Sequence, residues 1–136
     1  MSQHMQDTVQ AYFDLFNAQD AQGIADIYAH DATVTDPVGT PAKVGKEAIL
    51  SFYTMAVKNG ARLKQNGTTR IAGNAAAFAF TVSVGAMTNV DEDVAVAVEL
   101  PKGGMTIDVI DTFYFNEDGK VTEMKAYWGP SNITQT

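Results

Sequence analysis

Three side chains able to move or donate a proton, Tyr12, Asp36 and Asp111, fall on the apolar phases of three separate segments. Asp111 lies in residues 105–115, where it shares a face with Met105, Ile107, Val109, Phe113 and Phe115, because side chains on a strand alternate between faces. Asp36 ends a short alternation with Ala32 and Val34, and Pro37 holds it extended. Tyr12 belongs to a stripe with Met5, Val9, Phe13 and Phe16 at helical spacing. A charged carboxylate in a dry core loses several kcal/mol of hydration, so Asp111 is expected to keep its proton and donate it in a hydrogen bond. Asp36, next to a loop rich in Pro and Gly, is expected to meet some water and act as an ionised general base. Tyr12 would add a second donor near Asp111, and such a set suits removal of a proton next to a carbonyl. Singly, a buried Tyr bonds a backbone carbonyl and a strand Asp marks a turn; jointly, with no inward Lys or Arg, they point to a polar pocket in an apolar cavity.

These side chains must be positioned by surrounding elements. The periodicity predicts a helix over residues 3–18 and a second, capped by Asp20, over 21–29 that buries Ile24, Ile27 and Tyr28. A strand is expected over 32–37, a loop over 37–43, and a third helix from 45 to about 59, with Ile49, Phe52, Tyr53 and Ala56 inward and Gly60 as its stop. The rest reads as strands over 62–72, 75–88, 94–100, 105–115 and 121–128. Three helices before a meander argue for an α+β fold, an antiparallel sheet under a helical layer, as a single domain over 1–136.

Composition narrows the partners. A chain of 136 residues with net charge −7 is poorly suited to nucleic acid or anionic membranes and favours a neutral or cationic ligand. It holds no cysteine, and no apolar run reaches membrane-spanning length, which reads as a soluble, cytoplasmic protein. No metal site is expected: His30 beside Asp31 reads as solvated, and His4 sits in a terminus expected to fray. Asp91, Glu92 and Asp93 read as a solvated turn. Trp128, in phase with Met124 and Ala126, is either core or pocket wall.

Tyr12, residues 28–37, Phe52 with Tyr53, residues 108–111 and residues 124–128 together resemble bacterial Δ5-3-ketosteroid isomerase. The division into a base and a neutral acid donor set out above is also that family's own, so the two readings are not independent. The resemblance implies a cone-shaped fold of the nuclear transport factor two-like group, mostly antiparallel, dimeric and without a cofactor. It implies that Asp36 carries a proton from C4 to C6 of a 3-oxo-Δ5 steroid while Tyr12 and Asp111 bond the dienolate oxygen. Tyr28 and Tyr53 would extend the hydrogen bonds behind Tyr12, and Trp128 would pack beside the base. Phe16, Phe80, Val109, Phe113, Met124, Ala126 and Trp128 would bind the flat apolar substrate. The stretch between Tyr53 and Asp111 is longer than in the family, which suggests an extended hairpin over 85–98. A polyketide cyclase, dehydratase or epoxide hydrolase of the same fold, or a binding domain without catalysis, are the alternatives.

Overall fold

The computed structural model describes residues 1–86 and 90–136. Helix α1 (Ser2–Asn17) buries Met5, Val9, Tyr12, Phe13 and Phe16, the stripe that its spacing predicts. At its start, His4 Nε2 sits 2.8 Å from the carbonyl of Gly119 and ties the helix to a turn of the sheet. Asp20 accepts from the Gly23 amide and caps α2 (Ala21–Asp26). That helix ends earlier than expected. Tyr28 opens strand β1 (Tyr28–Thr35) instead, since the Val121 amide bonds the Ile27 carbonyl and draws the chain onto the sheet.

A two-residue strand β2 (Lys43–Val44) pairs with β1, and α3 (Lys46–Lys58) follows. Gly60, at φ +76, takes the left-handed conformation that ends α3. Strands β3 (Arg62–Ala72), β4 (Ala75–Val84), β5 (Met105–Phe115) and β6 (Val121–Tyr127) form an antiparallel run, and β7 (Ile133–Gln135) pairs with the start of β5. The seven-stranded sheet has the order β2-β1-β6-β5-β4-β3, with β1 parallel to β6 and the remaining pairs antiparallel.

The strand expected over 94–100 is a helix, α4 (Glu92–Ala97). Val94, Val96 and Val98 alternate as a strand would, yet β4 and β5 already pair directly, so no edge is left for them there. Asp91 decides the local structure by accepting from the amides of Asp93 and Val94, which caps a helix. Residues 91–93 are therefore a helix start rather than a solvated turn, and 91–98 form no hairpin. Strand β4 stops at Val84, short of the expected end at residue 88; positions 87–89 of that expected strand and hairpin lie outside the described residues.

The core lies between α1, α3 and the inner face of the sheet. Tyr12 meets Phe113 edge-on at 5.3 Å, and Phe78 meets Phe113 at 4.9 Å, so aromatic rings join the helix layer to β4 and β5. Each such ring contributes about 1.5–3 kcal/mol of apolar burial, which fixes α1, and Tyr12 with it, against the strand that carries Asp111.

Candidate active site

A cavity of about 160 Å³ opens between α1, α3, α4 and the strands β3 to β5. Its wall is mostly apolar: Phe16, Phe52, Leu63, Phe80, Val82, Ile107 and Val109 line it. Among these stand a few polar groups, Tyr12, Asp36, Tyr53, Asn59, Asp91 and Trp128. An apolar chamber with few convergent polar groups suits a small hydrophobic ligand held in one orientation.

Asp36 follows the last residue of β1, on the phase of the fully buried Ala32 and Val34, but is itself only partly buried. The Trp128 indole Nε1 donates to its Oδ1 at 2.7 Å. Burial raises its pKa from the usual carboxylate value to about 6; the Trp128 bond and the Lys43 charge pull it down, and the Asp91 charge pushes it up. A carboxyl with that affinity accepts a proton near neutrality and releases it again.

Asp111 is 1% exposed on mid-β5, between Phe78 of β4 and Ala126 of β6. Neither of its oxygens has a hydrogen-bond partner among the described residues. Burial, followed by the nearby Asp36 charge, holds its pKa well above the ordinary range. The Tyr12 hydroxyl, close but outside hydrogen-bonding geometry, offsets part of that shift. Asp111 does not line the cavity; it stands behind the wall on the Tyr12 side.

Tyr12, Tyr53 and Tyr28 form a hydrogen-bonded chain of hydroxyls, 3.3 Å from Tyr12 to Tyr53 and 2.5 Å from Tyr53 to Tyr28. Burial raises the pKa of all three, so each keeps its proton. Tyr28 is fully buried behind Tyr53 and does not reach the cavity.

Of the residues expected to touch substrate, Phe16, Phe80, Val109 and Trp128 line the cavity. Phe113, Met124 and Ala126 do not. All three are wholly buried: Phe113 is enclosed by Tyr12, Tyr28 and Phe78, Met124 lies between Phe113 and Val34, and Ala126 beside Asp111. Phase alone put them on the inner face, but Tyr12, Tyr28 and Phe78 pack over Phe113, and the cavity is lined instead from β3, β4 and the first half of β5.

Sequence reasoning missed Asn59, Asp91, Val94 and Leu100, which also line the cavity. Only Asp91 carried a signal, an acidic residue opening an acidic first turn. Among the described residues no group of three or more His, Cys, Asp or Glu is disposed to hold a metal ion, and no helix is long and apolar enough to cross a membrane.

The SnoaL-like domain family matches residues 9–124. The chain belongs to that family. Its nuclear transport factor two-like fold is therefore the mixed, seven-stranded α+β sheet described above. The steroid Delta-isomerase of Nocardioides simplex is 31% identical over all of this chain and 98% of its own length. The epoxide hydrolase LasB of Streptomyces lasalocidi is 29% identical over 88% of this chain, which spans 39% of that protein. A solved structure of the epoxide hydrolase/cyclase-like enzyme SalBIII, described for pyran ring formation in the polyether salinomycin, superposes with a TM-score of 0.82. It covers 99% of this chain and 98% of that one at 24% identity, a likeness of fold. The named relatives are enzymes, and they carry out different reactions.

Proposed function

We propose that this protein is a steroid Δ-isomerase that moves the C5–C6 double bond of a 3-oxo-Δ5 steroid to C4–C5. The observation that carries this reading is Asp36, a partly desolvated carboxyl on the wall of an apolar cavity, with its pKa raised to about 6 and oriented by Trp128. Asp36 takes a proton from C4, the electron pair delocalises to the C3 oxygen as a dienolate, and Asp36 returns the same proton to C6. The carboxylate is regenerated and no atom is gained or lost.

The negative oxygen needs donors that are already in place. Tyr12 keeps its proton and offers it towards the cavity, with Tyr53 and then Tyr28 donating in turn behind it. Asp111, protonated and with both oxygens unpartnered, stands behind the cavity wall beside Tyr12 and is the second donor in this reading for an oxygen that reaches past that wall. Phe16, Phe80 and Val109 would hold the flat rings. None of these steps calls for a cofactor. The same reading takes residues 1–136 as one domain and the protein as cytoplasmic. It also takes the protein as a homodimer through the outer face of the sheet, where Ile110, Tyr114 and Tyr127 stand 49%, 40% and 47% exposed.

Identity to LasB supports a second reading, epoxide opening, in which the same base and acid would act on a hydroxyl and a ring oxygen. No arginine is placed to steady that oxygen: Arg62 and Arg70 turn to the carbonyls of Ala61 and Thr68, and neither lines the cavity. The deciding experiment supplies a 3-oxo-Δ5 steroid and follows ultraviolet absorbance as the conjugated enone forms. Wild-type protein should turn it over, and Asp36→Asn should lower kcat by about 10³-fold, the scale of a lost general base. Absence of turnover by wild type, or full activity in Asp36→Asn, sinks the proposal.

A further inference from the structure

Helix α4 borders the cavity without being packed into the core. None of its residues is buried, and Val96 stands 89% exposed, yet Val90, Asp91 and Val94 at its start line the chamber. Apolar burial holds it at its far end, through the buried Val98 and the partly buried Leu100 just beyond it. Lys43 supplies an anchor at its start. Its Nζ lies 3.0 Å from Asp91 Oδ2 and 2.9 Å from Asp93 Oδ2, while Asp91 Oδ1 accepts from the Asp93 and Val94 amides and closes the first turn. The Lys43 and Asp91 side chains are only 22% and 18% exposed, so this pair is less screened than a surface one. Lys43 stands on β2 opposite Val34, two residues before Asp36. One strand pair thus leads to the base and also carries the cation that holds a wall of the base's own cavity.

We infer that Lys43 is a positioning residue: its ion pairs with Asp91 and Asp93 seat α4 against the cavity and keep water away from Asp36. The inference deepens the reading of Asp36 as the base and rests on it for its catalytic consequence. It also gives the longer stretch before β5 a task, since Val90, Val94 and Leu100 then form a wall that the sheet and α1 do not provide.

Two opposed effects follow from removing Lys43. Loss of its charge alone would raise the proton affinity of Asp36, whereas loss of the seat would admit water and lower it. Burial is the largest cause acting on Asp36 and Lys43 the smallest, so hydration should win. The other groups facing Asp36 are Asp91 from α4, the Trp128 indole after β6, Tyr12 from α1, Tyr28 from β1 and Asp111 from β5. The two tyrosines and Asp111 hold their protons, which leaves Asp91 and Lys43 as the neighbouring charges.

Trp128 is the chain's single tryptophan, and its indole N–H bonds Asp36 directly. In 15N-labelled protein that one indole cross-peak, followed from pH 4 to 8, reports Asp36 without any steroid. The wild-type midpoint is expected at about 6. Lys43→Met should lower it by about one unit, and Lys43→Arg, which can remake the ion pairs, should restore it. Lys43→Gln should give the same fall and serves where Lys43→Met does not fold. An unchanged or raised midpoint in the uncharged variants, no recovery with arginine, or no wild-type transition overturns the inference. The titration is independent of turnover, so failure of the isomerase reading and failure of the seat are read separately.

Discussion

Replacing Asp111 with leucine should make the protein more stable while removing one of the two donors proposed for the dienolate. The side chain is 1% exposed, its cross-strand neighbours Phe78 and Ala126 are apolar, and neither oxygen has a partner among the described residues. Leaving a buried polar group unsatisfied costs about 1–3 kcal/mol. Leucine ends that cost but adds volume to a packed site, an overpacking penalty of about 1–3 kcal/mol. The term that decides the sign is protonation. Asp111 has a folded pKa well above its ordinary value, so the folded protein binds a proton that the unfolded chain has already released. Wild-type stability therefore falls as pH rises from the ordinary carboxylate range towards the folded pKa, by up to about 1.4 kcal/mol per pH unit. The leucine variant lacks that slope. Asp36 has the same sign of dependence, but it is present in both proteins and largely cancels in the difference. Urea denaturation at pH 5 and pH 8 should show the variant ahead at the higher pH, its lead there exceeding that at the lower pH by up to about 4 kcal/mol, three pH units at that slope. A variant less stable than wild type at both values, or a gap that does not widen with pH, would mean that Asp111 is ionised and compensated, and the donor role would fall with it.

Two further outcomes follow from single contacts. The Trp128 bond lowers the Asp36 pKa, so Trp128→Phe should move the acid limb of the kcat/KM profile to higher pH by about half a unit or more; a limb that stays in place or moves down would show that the indole does not touch the working base. Gly119→Ala should lower stability by about 1–2 kcal/mol in thermal unfolding, because Gly119 has φ +78 and a Cβ there would lie 2.6 Å from His4 Nε2; an unchanged melting temperature would show that the α1 anchor gives way freely.

Elements with a long, clean period were legible from the residues. The alternation of 105–115 and the breaks at Gly60 and at Gly73 with Asn74 set β3 and β5 to their observed ends, and the stripe from Met5 to Phe16 identified the buried face of α1. Helix α4 was not legible, because Val94, Val96 and Val98 alternate as in a strand while a single capping aspartate, together with the lack of an open strand edge, sets the outcome. Tyr28 was placed on a helix because its pairing depends on Val121, far along the chain. At the candidate site, phase brought Tyr12, Asp36 and Asp111 towards one interior, but it could not say which inner residues neighbouring side chains would cover. It therefore assigned Phe113, Met124 and Ala126 to the cavity, although they lie within the core. The contact of Lys43 with Asp93 spans 50 positions and depends on where α4 comes to rest, so nothing local announced it.

The central claim is that one sheltered carboxylate carries one proton between two carbons of the same steroid. A 3-oxo-Δ5 steroid deuterated at C4 and converted in ordinary water tests this most directly, with the product read by mass and by NMR at C6. A substantial fraction of product molecules should carry deuterium at C6, and Asp36→Asn should form almost no product. Product made at a good rate with only solvent hydrogen at C6 would contradict an intramolecular transfer through Asp36.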